Sequence, residues 1–158
     1  MDGTDPMVWA AELHPYKGKY YYFATFTNQA VKIDTVQGNV IERRASHVLV
    51  SDKPDGPYVP MKDSTYLPAD KPTLDGTFWV DKDGKPYMVY CYEWLQALDG
   101  TIEKIELKPD LSGTIGEGKL LFRASESPWS VKKMRMARIN RIKSLTVRIC
   151  SVQEQVDS

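Results

Sequence analysis

The feature that most constrains this chain is a repeat. Gly18-Lys19-Tyr20-Tyr21-Tyr22-Phe23 is answered 66 residues later by Gly84-Lys85-Pro86-Tyr87-Met88-Val89. In both places a turn glycine launches a run dense in aromatic or branched side chains, the composition of a pleated, half-buried strand. A second echo relates Val50-Ser51-Asp52-Lys53-Pro54-Asp55 to Ile105-Glu106-Leu107-Lys108-Pro109-Asp110, 55 residues later. Each unit therefore offers strand, glycine turn, strand, longer loop, strand, Pro-Asp turn and strand. Four antiparallel strands in a unit of roughly 50 residues are the signature of a β-propeller blade. Two such blades fill residues 9–130, and the class expected is all-β. A β-sandwich that holds two similar hairpins is the alternative.

The individual strands are bounded by strong turn chemistry. Lys19–Thr27 follows a Lys17-Gly18 turn, and His47–Ser51 stops at Lys53-Pro54-Asp55-Gly56-Pro57. Thr77–Val80 runs into Asp81-Lys82-Asp83-Gly84, an Asp-Gly hairpin signal, and Pro86–Trp94 is the returning strand. Thr101–Leu107 alternates polar and apolar residues, and Lys119–Phe122 closes the series. Pro68–Lys71 is the one stretch before residue 130 where a helix is conceivable. The ten glycines and ten prolines fit this frequent turning better than a helical bundle.

Charge divides the chain where the strand pattern stops. Residues 1–130 carry 14 Lys and Arg against 19 Asp and Glu, whereas residues 131–158 carry seven against two. Gly and Pro punctuate the first part and are absent from the second, so the expected division is a propeller part over 1–130 and a basic tail over 131–158. The tail reads as disordered, helical or out of frame. Its basic residues form no coherent face, and the whole chain balances at zero net charge. Neither nucleic acid nor membrane is therefore an expected partner. Cys91 and Cys150 are too few for a disulfide framework. Met1–Trp9 shows no apolar run of a signal peptide.

Three passages, in order, resemble glycoside hydrolase family 43. Trp9-Ala10-Ala11-Glu12 with Tyr16-Lys17-Gly18-Lys19-Tyr20 is similar to the family's second-blade opening, with Ala11 where Pro is usual. Leu49-Val50-Ser51-Asp52 with Gly56-Pro57-Tyr58 follows. Leu74-Asp75-Gly76-Thr77-Phe78-Trp79-Val80-Asp81 with Asp83-Gly84-Lys85-Pro86-Tyr87 is similar to the third-blade opening. The resemblance covers residues 9–130. It implies a five-bladed propeller, of which this chain carries about two blades, and an inverting glycosidase for arabinan, xylan and related plant polysaccharides. It also implies three carboxylates: a general base on blade one, a general acid on blade four, and an Asp on blade three that modulates the acid's pKa. Full-length relatives are often secreted or periplasmic.

Only the modulator has a match here, Asp75. A carboxylate at that place raises a neighbouring acid's pKa by like-charge repulsion; the plain alternative is an Asp-Gly turn whose side chain caps its own backbone. Glu12 holds the acidic place of the Trp-Ala-x-Glu opening, either facing the channel mouth or satisfied by backbone amides. Trp9, Tyr92 and Trp94 offer aromatic faces for sugar stacking, and Glu93 is either a rim contact or a solvated strand-end charge. Asp5-Pro6 imitates the family's base motif but sits directly before the blade-two opening and is read as a decoy. His14 and His47 lack metal-ligand spacing, so no metal site and no cofactor are expected.

Three functions compete: a glycosidase piece whose activity needs groups not matched here, a non-catalytic carbohydrate-binding module, and a nucleic-acid or membrane contact through the tail. The first is favoured, with an oligo- or polysaccharide as substrate and little or no turnover by the chain alone. Unclosed blades also leave exposed strand edges, from which self-association is expected.

Overall fold

The computed structural model of the chain describes residues 7–36, 38–61, 73–92 and 99–128. These form two four-stranded antiparallel sheets. Sheet A runs β1 (Met7–Tyr16), β2 (Lys19–Val36), β3 (Asn39–Ser51) and β4 (Val59–Pro60). Sheet B runs β5 (Thr73–Val80), β6 (Pro86–Tyr92), β7 (Thr101–Leu107) and β8 (Thr114–Arg123), followed by one 3₁₀ turn at Ala124–Glu126. In both sheets, spatial order equals chain order, the meander that a propeller blade requires. Among the described residues the 3₁₀ turn is the only helical element, and no helix is long and apolar enough to cross a membrane.

Local chemistry explains the hairpins. Lys17 and Gly18 both take positive φ, +48° and +77°. That pair makes the tight turn whose twist matches the flanking strands. Between β5 and β6, Asp81 Oδ1 accepts the amide hydrogens of Asp83 and Lys85 at 3.0 and 2.8 Å, and Gly84 supplies the left-handed residue at φ +78°.

The sheets stack face to face through alternate residues of their strands. Tyr21, Phe23 and Val48 of sheet A meet Met88, Tyr90, Ile105, Leu107 and Leu111 of sheet B in one buried cluster. Phe78 of β5 packs against it, its ring 5.5 Å from Phe23. This inter-sheet layer is the hydrophobic core of the described residues.

Several strands depart from their sequence expectation in length. β2 and β3 continue well past Thr27 and start well before His47, joined around Gly38. The added pairs, such as Thr35 with Val40, are largely solvent-exposed. They therefore carry no apolar alternation that the sequence could display. β8 begins at Thr114 rather than Lys119, again with exposed residues along nearly all its length. β4 is too short to signal itself. The repeat also shifts by one residue. Tyr21 pairs with Val50 and Tyr87 pairs with Glu106, so the matching positions on the third strands lie 56 apart rather than 55. Pro68–Lys71, Glu93, Trp94 and the basic tail lie outside the described residues.

Candidate active site

Both first strands break their pairing register at equivalent places. β1 bulges between Trp9 and Glu12, and β5 bulges between Leu74 and Thr77. Each bulge contains a residue in the left-handed region, Ala10 at φ +44° and Asp75 at φ +52°. A bulge inserts an extra residue, bends the strand and re-aims a side chain. Asp tolerates the left-handed region better than most residues because its short polar side chain bonds locally.

Sheet A holds the β5 bulge in place. The Asp75 amide donates to Thr25 Oγ1 at 2.8 Å, and the Gly76 amide donates to Ser46 Oγ at 3.2 Å. Both hydroxyl residues are fully buried. Amides that lost their ladder partners at the bulge thus find partners across the sheet interface, as buried N–H groups must. Gly76 is required here. A Cβ at that position would stand 2.6 Å from Ser46 Oγ and 2.8 Å from Ser46 Cβ.

Glu12 is fixed from two sides. His14 lies two residues along β1, and that spacing puts both side chains on one face of the strand. His14 Nε2 donates to Glu12 Oε2 at 2.9 Å, and Thr77 of β5 donates its hydroxyl to the same oxygen at 2.5 Å. The His14 hydrogen bond holds the Glu12 carboxyl below its ordinary pKa, with Thr77 adding to the effect and partial burial opposing it. His14 is itself held by edge contacts with the Phe23 and Phe78 rings, at 5.6 and 5.5 Å.

Asp75 behaves oppositely. Burial first, then the negative charge of Glu12, push its carboxyl pKa up, while the Arg44 guanidinium pulls the other way. Arg44 also lies over the Trp9 ring, 5.5 Å from its centroid. Trp9, Glu12, Arg44 and Asp75 therefore form one cluster where the first strands of the two sheets meet. Two carboxyl groups in electrostatic contact, with pKa values driven apart, are the usual setting for proton-transfer chemistry.

The sequence candidates separate accordingly. Asp75, Glu12 and Trp9 are brought together. Tyr92 ends β6 opposite Thr73, one strand away from the β5 bulge, and is half-buried. Glu93 and Trp94 lie outside the described residues. His14, Thr25, Arg44, Ser46 and Thr77 were not singled out as members of the site. Only His14 had a readable signal, its two-residue spacing from Glu12. Among the described residues, no group of three or more His, Cys, Asp or Glu could hold a metal ion.

The sequence model for glycosyl hydrolases family 43 matches residues 1–136, a span that contains both sheets and the whole cluster. The chain belongs to this family. No curated protein matches it. Solved structures of family members do. An endo-arabinase from Bacteroides thetaiotaomicron is 40% identical, with a TM-score of 0.66 over 77% of this chain. The match covers 39% of that enzyme, so the chain spans about two-fifths of its length. A thermostable family-43 glycoside hydrolase is 20% identical over 73% of this chain and 35% of its own, with a TM-score of 0.58. A family 43 protein from Bacillus licheniformis is 23% identical over 73% of this chain and 20% of its own, with a TM-score of 0.50. These last two show the fold alone. The two sheets are blades of the family 43 propeller.

Proposed function

We propose that this family 43 chain supplies two blades of the sugar channel of an inverting glycosidase for arabinan- or xylan-type polysaccharide. In this reading, Asp75 tunes the pKa of a neighbouring general acid, and Trp9 and Tyr92 contact sugar, with Glu93 and Trp94 at the rim. The observation that supports it is the β5 bulge: Asp75 stands near the start of the first strand of its sheet, partly buried, its carboxyl pushed up by burial and by Glu12. The 40% identity to an endo-arabinase favours arabinan over xylan as the substrate class.

The chain by itself turns over little or no substrate. Inversion needs one protonated carboxyl to donate to the leaving oxygen and one carboxylate to activate water, about 6.5–9.5 Å apart. The described site offers Asp75 and Glu12. Glu12 is a poor candidate for either role, because a carboxylate held ionised cannot donate a proton and one stabilised by two donors is a weak base. Each proton-transfer partner is worth about 10²–10⁴-fold, so a site without a matched acid and base keeps little acceleration. The test is an assay of the purified chain on aryl arabinofuranosides and arabinan, with Asp75→Asn alongside. The expected result is no turnover above background for either, with weak oligosaccharide binding retained. Clear turnover abolished by Asp75→Asn overturns the account of the missing partners.

A further inference from the structure

Asp75 stands under opposing demands. A carboxylate raises the pKa of a neighbouring acid by like-charge repulsion, so a modulator must carry its charge to act. Its surroundings favour the neutral form instead. Burial strips solvent from the carboxyl, and Glu12 of β1 presents a negative charge that His14 and Thr77 hold in place. Among the described residues, Arg44 of β3 is the positive charge that opposes them. Thr25 and Ser46, which anchor the bulge from β2 and β3, are uncharged.

The strand register brings this third-strand residue to a site built on first strands. Ser46 pairs with Thr25 and Arg44 pairs with Thr27, without a bulge between them. Ser46 Oγ meets the Gly76 amide across the interface, so Arg44, two residues before it, leaves β3 on the same face, toward sheet B. Its guanidinium carbon lies 5.5 Å from the centroid of the Trp9 ring. Trp9 in turn pairs with Thr25, whose hydroxyl accepts the Asp75 amide hydrogen. Arg44 therefore acts on Trp9 of one sheet and on Asp75 of the other. Trp9 is 40% exposed, so burial alone does little to fix its ring, and a cation on the ring face supplies a constraint.

We propose that Arg44 is a positioning residue of this site: its guanidinium orders the Trp9 ring, and its positive charge offsets Glu12 so that Asp75 keeps the charge a modulator needs. The proposal rests on the reading of Asp75 as modulator and Trp9 as sugar contact, and Arg44 acts through those two side chains. Arginine suits both tasks, because its planar fork stacks on aromatic faces and stays charged across the working range. A lysine would supply the charge without the planar stack. A neutral side chain of similar bulk would supply neither.

The experiment titrates the Asp75 carboxyl by carbon NMR in the full chain, with its resonance identified by loss in Asp75→Asn. Wild type, Arg44→Leu and Arg44→Lys are compared. Arg44→Leu fills the space and removes the charge, so the Asp75 midpoint is expected to rise. Arg44→Lys keeps the charge, so the midpoint is expected to stay near that of the wild type. In both variants the Trp9 indole N–H, identified by its loss in Trp9→Phe, is expected to show lower order by nitrogen relaxation. An arginine with a merely structural role would loosen both variants alike and leave the midpoint where it was. A midpoint that stays or falls in Arg44→Leu, an equal rise in Arg44→Lys, or a Trp9 indole unchanged in both overturns the proposal. Should either variant lose its strand circular dichroism, the wild type decides. The Arg44 Nε resonance is then expected to follow the Asp75 midpoint and to stop following it in Asp75→Asn; a resonance flat across that midpoint overturns the proposal. Failure of the sugar-channel reading has a different signature: arabinotriose leaves the Trp9 indole unperturbed in a wild type whose Asp75 and Arg44 titrate together. That result overturns the channel reading and supports the Arg44 linkage.

Discussion

Asp75 and Glu12 form a pair whose titrations oppose each other, and this fixes what single substitutions do. Glu12 has its folded-state pKa lowered, so its contribution to stability is present above its ordinary 4.5 and is lost as pH falls through the lowered value. Asp75 has its pKa raised, so its contribution is present below 3.8 and is lost as pH rises through the raised value. Asp75→Asn keeps the size and the tolerance for left-handed backbone but removes the charge. It is expected to raise Tm at neutral pH by about 2–4 °C, the effect of about 1 kcal/mol in a domain of this size. Below pH 3.8 the gain should vanish; a gain that persists there would place its origin in something other than charge. His14→Ala is expected to move the Glu12 pKa back up toward 4.5, read by carbon NMR of the carboxyl, and to cost about 1–3 kcal/mol. Asp75, Glu12 and Trp9 were legible in the sequence because each sits in a strand-head motif. Thr25, Ser46 and Thr77 were not, because their partners lie 50, 30 and 65 residues away and meet only when the sheets stack. Arg44 was hidden in a polar stretch whose strand is exposed for most of its early length.

The bulges in β1 and β5 do the same job with different residues, and that difference is testable. Ala10 is exposed and sits at φ +44°, where an alanine Cβ crowds the following carbonyl and a glycine does not. Ala10→Gly is expected to stabilise by about 0.5–1 kcal/mol in urea unfolding, against the usual direction for such a change. Gly76→Ala should do the reverse, costing about 1–3 kcal/mol, because its methyl group enters the space of Ser46. Ser46→Gly alone loses the hydroxyl to which the Gly76 amide donates, and the double mutant, with both close atoms cleared, should cost less than the two single changes summed. A double mutant no better than the sum of its parts would show that the Gly76 contact is not what limits the sheet spacing. At this scale the sequence displayed what chemistry made local. The Lys17-Gly18 and Asp83-Gly84 turns, and the half-buried Thr101–Leu107, were readable because each needs particular residues at particular places. The outer reaches of β2, β3 and β8 were not, because exposed strand leaves no alternation behind.

The two sheets share one core, and neither carries a complete one. Sheet A contributes Tyr21, Phe23 and Val48, and sheet B contributes Met88, Tyr90, Ile105, Leu107 and Leu111. A sheet with one apolar face must bury it against another layer, so each sheet's stability is conditional on the other. The polar links repeat the dependence. The β5 bulge is held by Thr25 and Ser46, Glu12 is held by Thr77, and at the far end Lys17 Nζ donates to the Pro109 carbonyl at 3.1 Å. Unfolding should therefore be a single transition rather than the loss of one sheet at a time. Phe23→Ala tests this from within sheet A. Phe23 is fully buried and touches both Phe78 and His14, so truncation should cost about 3–5 kcal/mol. Against a typical total of about 5–15 kcal/mol, that is enough to raise the unfolded population measurably. If the sheets are coupled, hydrogen exchange in the variant speeds up by the same free energy at core amides of β6 and β7 as at those of β2 and β3. Exchange that accelerates in sheet A while Met88, Tyr90 and Ile105 keep wild-type protection would mean that sheet B folds on its own, and that the shared layer is a contact between two domains rather than one core.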